Sequence, residues 1–110
     1  MAFKVFIKRR VVEAKQGELI ELIKKLRGLA VAQPGYISGE TLRSVTDPEA
    51  FLVISTWETV EDWEAWKSGG ERAEVQNRID EMLGQETVYD AYYYPQRSAT
   101  LSGFKGWEGG

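Results

Sequence analysis

Three tryptophans and two polar side chains carry the chemistry that this sequence can offer. Trp63 and Trp66 are three positions apart, one helical turn, so they share a face. Trp57 stands just ahead of them, at the end of an apolar run. Arg72 and Gln76 follow with a spacing of four. By helical angle Arg72 falls inside the stripe formed by Val75, Ile79 and Met82, and Gln76 lies at its margin. A polar pair at the edge of an apolar stripe, beside aromatic rings, can present hydrogen bonds to a flat aromatic ligand. The competing reading is a plain core, since tryptophans at these spacings also pack helices onto a sheet and an arginine stem can carry its charge out to solvent. Trp57, Trp63, Trp66, Arg72 and Gln76 are therefore the candidate pocket, and no catalytic residue is assigned.

Composition limits the chemistry further. The 110 residues contain no cysteine and no histidine. Disulfides, thiolate nucleophiles, cysteine-held zinc and iron–sulfur clusters are thereby excluded. So are an imidazole base, a histidine-dependent triad and a histidine–heme bond. No acidic cluster has the spacing of a calcium loop, and neither a metal nor a cofactor is expected. The formal charge of −3 argues against nucleic acid as the main partner. The apolar runs are too short to span a bilayer. Lysine interrupts the apolar stretch of Met-Ala-Phe-Lys-Val-Phe-Ile-Lys-Arg-Arg, so no signal-peptide core is expected and the default compartment is the cytoplasm.

The elements that must position the pocket can be read in order. Residues 2–12 alternate, with Phe3, Val5 and Ile7 on one face and Lys4, Phe6 and Lys8 on the other, as in a strand. From Gly17 the period becomes helical: Leu19, Leu22, Ile23, Leu26 and Ala30 recur on one side until Pro34-Gly35. Tyr36–Val45 reads as a second strand, Thr46–Glu49 as a turn, and Phe51–Trp57 as a short, nearly all-apolar strand. Thr59 followed by Asp62 starts a helix. Gly69-Gly70 interrupts it, either as a hinge or as an ordinary break. Another helix runs from about Glu71 to Leu83, with Gly84 as its stop. Thr87–Tyr94 is the last strand, ended by Pro95. This order is the βαββαβ plan of an α+β, ferredoxin-like fold with an antiparallel sheet.

Two further stretches have alternative readings. Lys8-Arg9-Arg10 could steer an anionic ligand, or be solvated charge guarding a strand end. Tyr89, Tyr92, Tyr93 and Tyr94 suggest phenolic acid catalysis, but strand propensity and packing explain them more simply. Residues 1–95 form the expected domain. Residues 96–110 are a Gly/Ser-rich tail whose Leu101, Phe104 and Trp107 either dock on a surface, such as a partner subunit, or belong to a frayed end.

The strands also lack the in–out alternation of a sheet covered on one side only. Leu52, Val53 and Ile54 are consecutive, Phe6 opposes Phe3, Val5 and Ile7, and the last strand carries aromatics on both faces. Two apolar faces need two covers, and a second copy of the sheet is the simplest, giving a homodimeric α/β barrel.

Pro34-Gly35-Tyr36, Glu40-Thr41-Leu42-Arg43-Ser44, Asp47-Pro48-Glu49-Ala50-Phe51 and the segment from Trp57 to Trp66 together carry a family likeness. The sequence resembles the antibiotic biosynthesis monooxygenase family of small dimeric α/β-barrel proteins, from the first strand to Tyr94. That resemblance implies one of three things: a cofactor-free oxygenase acting on quinols or anthrone-like polyketides, a heme-degrading protein, or a member without known activity. The heme-degrading pattern places a tryptophan where Trp66 stands, an iron-ligating histidine where Gln76 stands, and an asparagine near Lys8, Arg9 and Arg10. Two of these three marks are absent, and the only asparagine is Asn77. Glutamine is a poor iron ligand beside imidazole, so heme degradation is disfavoured. The expected function is a cofactor-independent monooxygenase of a small aromatic; the alternative is a non-catalytic dimeric ligand-binding or regulatory protein of the same fold.

Overall fold

In the computed structural model, which describes residues 2–95, seven elements follow one another: β1 (Phe3–Arg10), α1 (Glu13–Ala30), β2 (Tyr36–Arg43), β3 (Ala50–Trp57), α2 (Val60–Lys67), α3 (Gly70–Leu83) and β4 (Asp90–Tyr93). The strands lie in the order β2-β3-β1-β4, and every neighbouring pair is antiparallel. This is the expected ferredoxin-like α+β arrangement. The tail, residues 96–110, lies outside the described residues, and with it the expectation that Leu101, Phe104 and Trp107 dock.

Local chemistry sets most of the boundaries. Thr59 caps α2, its hydroxyl accepting from the Asp62 backbone N–H at 3.0 Å. Gly84 ends α3 in the left-handed region at φ 68°, where a residue without Cβ bears no strain. Gly35 is also left-handed at φ 82°, and a Cβ there would overlap the Asp62 carboxylate, so the turn after α1 and the start of α2 fit only with glycine. The loop from β2 to β3 is held by Ser44 Oγ, which accepts from the backbone N–H groups of Thr46 at 3.2 Å and Asp47 at 3.1 Å.

Two elements differ from the sequence reading. Helix α1 begins at Glu13, a full turn before Gly17, because Glu13–Gln16 are competent helix formers and Gln16 ties the first turn to the carbonyls of Val11 and Pro48, each at 3.0 Å. Strand β4 spans only Asp90–Tyr93. The Thr87–Tyr89 segment leaves the sheet ladder, and the Thr87 and Tyr89 side chains bond to α3 and β1 instead.

The register assigns the faces. Phe3 pairs with Trp57, Val5 with Ser55, Ile7 with Val53 and Arg9 with Phe51, so these residues share the face beneath the helices. Lys4, Phe6, Lys8, Leu52, Ile54 and Thr56 point to the opposite, helix-free face. Beneath the helices the core has two parts. Val11, Leu19, Leu22, Ile23, Phe51, Val75 and Ile79 form an aliphatic cluster. Phe3, Val5, Trp57 and Trp63 form an aromatic one, joined by Tyr36, Val60, Trp66 and Tyr89.

Candidate functional site

A cavity of about 80 Å³ lies between the sheet and the helices at the aromatic end, and Trp57, Trp63, Trp66, Arg72 and Gln76 all line it. Trp57 is fully buried, and its indole N–H donates to Ser55 Oγ at 3.2 Å. Its ring meets Tyr36 edge-on at 5.3 Å and Trp66 in a tilted pair at 6.1 Å. Trp63 packs edge-on against Phe3 at 5.9 Å and Tyr89 at 5.8 Å, and Lys67 Nζ stands 4.5 Å from the Trp63 ring. Trp66 is the half-buried member of the three.

Arg72 and Gln76 are both buried, at 7% and 5% exposure, so the arginine does not carry its charge to solvent. Arg72 donates to the Lys67 carbonyl at 3.2 Å, to Gln76 Oε1 at 3.2 Å and to the Tyr89 hydroxyl, over whose ring its guanidinium lies. Gln76 Nε2 donates onward to Asp80 Oδ1 at 2.9 Å and Thr87 Oγ1 at 2.5 Å. Thr87 in turn donates to Asp80 Oδ1 at 2.6 Å and accepts from Arg9 at 3.2 Å. The chain of contacts runs from β1 through the pre-β4 segment to α3. Burial lowers the pKa of both Arg9 and Arg72 from the ordinary guanidinium value; Asp80 opposes that shift, and for Arg72 the nearby Arg9 adds to it.

Sequence reasoning placed the five candidates on two helices and a strand end, and folding puts them around one space. It missed Arg9, Asp80, Thr87 and the role of Tyr89. Of the basic run, Lys8 and Arg10 are exposed, and Arg10 pairs with Asp47 at 2.7 Å, whereas Arg9 is 7% exposed. The signal for Arg9 was its parity: position 9 continues the 3, 5, 7 series of the inner face on a strand that lies between two others. Among the tyrosines, Tyr89 turns inward while Tyr92, Tyr93 and Tyr94 are exposed. Ser68 and Gly69 form the break between α2 and α3, with Gly69 as the N-cap and Gly70 as the first residue of α3. Asn77 is exposed on α3. Among the described residues, no group of three or more carboxylate, histidine or cysteine side chains could hold a metal ion, and no helix is long and apolar enough to cross a membrane.

An antiparallel sheet with helices on one face and a small cavity between the layers defines a class of α+β, ferredoxin-like proteins. The family model described as antibiotic biosynthesis monooxygenase matches residues 2–83. The chain belongs to that family. Among solved structures, a conserved protein from Methanosarcina mazei Go1 is similar at TM-score 0.79 and 21% identity, covering 86% of this chain and 94% of its own. SnoaB from Streptomyces nogalater, described as a cofactor-independent oxygenase, is similar at TM-score 0.76 and 12% identity, covering 89% and 97%. At these identities the likeness is one of fold. Protein SchA of Streptomyces halstedii is 25% identical over 72 residues, which cover 66% of this chain; the match spans only 19% of the length of SchA.

Proposed function

We propose that the protein is a cofactor-independent monooxygenase of a small aromatic substrate, quinol or anthrone-like. The observation that carries this reading is the buried Arg72–Gln76 pair in the wall of a cavity that Trp57, Trp63 and Trp66 line together with aliphatic side chains such as Ile23, Leu26 and Val53. Family membership and the fold likeness to SnoaB support it. In this reading an electron-rich ring lies against Trp66 and Trp63, and Arg72 donates to the oxygen on which negative charge develops, while Gln76, whose amide hydrogens go to Asp80 and Thr87, accepts from Arg72 and holds it in place. A hydroquinone and O₂ give a hydroxyquinone and water. One oxygen atom enters the ring and the other leaves as water, with all electrons drawn from the substrate. Tyr89 accepts from Arg72 and so keeps its own hydroxyl proton available to a ligand oxygen. No carboxylate lines the cavity among the described residues, so the substrate must lose its proton to water or through its own acidity.

Oxygen uptake with a panel of hydroquinones and anthrones tests the proposal. Protein-dependent uptake above autoxidation is expected for at least one compound, and its absence across the panel would overturn the reading. The missing base favours a second reading, a binding module without turnover. Tryptophan quenching by a ligand that is never consumed would support that alternative.

A homodimer belongs to the same proposal. The helix-free face carries Phe6, Leu52, Tyr92 and Tyr94 around an open groove of about 510 Å³ that Lys4, Lys8 and Asp90 also line. A second copy of this face would bury the apolar side chains and could pair the charges across a two-fold axis. Sedimentation is expected to show a dimer at micromolar concentration; a stable monomer there would refute it.

A further inference from the structure

The cavity has a charge imbalance that the monooxygenase reading leaves unused. Two guanidinium groups, Arg9 and Arg72, are buried within one hydrogen-bonded network that contains a single carboxylate, Asp80. Asp80 reaches them only through neutral relays. Gln76 and Thr87 stand between, and among the described residues no carboxylate forms an ion pair with either arginine. Arg72 Nε is buried with no hydrogen-bond partner. A buried cation without a counter-charge is costly, and an unpartnered donor on it adds to the cost. The Lys8, Arg9, Arg10 and Arg43 side chains line an adjoining cleft, so positive charge extends from the buried network toward the surface although the whole chain is net negative.

Cavity size narrows the occupant. An apolar cavity of about 150 Å³ takes benzene, and this one measures about 80 Å³. Its lining includes the half-buried side chains of Arg27, Tyr36 and Trp66, whose displacement would be needed to admit one ring. A fused three-ring skeleton asks for far more. A planar fork donor such as Arg72 matches a carboxylate better than it matches a single phenolic oxygen.

We propose that the cavity is a binding site for a single-ring aromatic carboxylate, whose anion supplies the counter-charge that Arg9 and Arg72 lack and whose ring lies among Trp57, Trp63 and Trp66. This deepens the reading above and rests on it for the aromatic ligand. It narrows the substrate class to a ring bearing both a carboxylate and the electron-rich hydroxyls that react with O₂.

Quenching of tryptophan fluorescence in the full chain under nitrogen provides the test, with benzoate and its neutral isostere benzamide as probes. Benzoate is expected to bind at least about tenfold tighter than benzamide, the margin of a charge-assisted hydrogen bond. Arg72→Met should weaken benzoate more than benzamide, so that the preference between the two probes is lost, and Arg9→Met should weaken benzoate more than benzamide. Equal affinities for the two probes in the unmodified protein, or no quenching by either up to millimolar concentrations, would overturn the proposal whether or not the variants fold. Oxygen uptake from 2,5-dihydroxybenzoate and from hydroquinone separates this idea from the oxygenase reading. Selective benzoate binding with no uptake from either keeps the anion site and removes the oxygenase. Uptake from hydroquinone with no preference for benzoate keeps the oxygenase and removes the anion site.

Discussion

The two halves of the layer beneath the helices rest on the same sheet yet are built differently. At one end Leu19, Leu22, Ile23, Val75 and Ile79 from α1 and α3 close over Val11 and Phe51. Branched aliphatic side chains interdigitate without regard to direction, and the buried polar network touches this end only through Arg9, which pairs in register with Phe51. At the other end the rings of Phe3, Tyr36, Trp57, Trp63 and Tyr89 meet edge-on. Edge-on pairing fixes how these rings sit against one another, and the cavity lies beside them with Arg72 and Gln76 in its wall. The difference separates two jobs within one small domain. The aliphatic end is closed by the fully buried Leu19 and Ile79, whereas the aromatic end borders the cavity, whose wall Ile23, Leu26 and Val53 complete.

The largest expected effect falls on the aliphatic end. Ile79 is fully buried, and Ile79→Ala should cost about 2–5 kcal/mol in urea denaturation while leaving ligand quenching unchanged. A loss below about 1 kcal/mol, or a loss of ligand binding without a loss of stability, would break the division of labour. Next comes Trp66, half-buried at the aromatic end. Trp66→Ala should weaken quenching by an aromatic ligand about tenfold, or about 1.4 kcal/mol, with a smaller stability cost than Ile79→Ala. The reverse ordering of the two variants in a denaturation series would show that Trp66 is simply core. The smallest effect is at the α2 cap, where Thr59→Ala should lower stability by about 1 kcal/mol without moving ligand affinity. Because α2 carries Trp63 and Trp66, a large affinity change in that variant would show that helix fraying reaches the cavity.

Particular residues show what could be read from the chain. Thr59, Gly84 and the Pro34-Gly35 turn announced themselves, because capping and left-handed backbone are local requirements met within a few residues. Trp63 and Trp66 on one face, and Arg72 and Gln76 on the next helix, followed from helical periodicity alone. The start of α1 was misplaced because Glu13–Gln16 offer no apolar stripe, and the last strand was drawn too long because Thr87 and Tyr89 have strand-like side chains. Arg9 was the main omission: in a basic run its neighbours face solvent, and only the central position of β1 buries it.

The sequence by itself determined the order of elements, the alternation of the first strand and the absence of thiol and imidazole chemistry. These depend on residue type and on periods of two and 3.6 residues, which are written along the chain. Only the tertiary structure decided that Arg9 from β1, Thr87 and Tyr89 from the segment before β4, and Arg72, Gln76 and Asp80 from α3 share one buried network. Those groups are as many as 78 positions apart. Strand order and helix docking bring them together, and burial turns an ordinary count of charges into an uncompensated one.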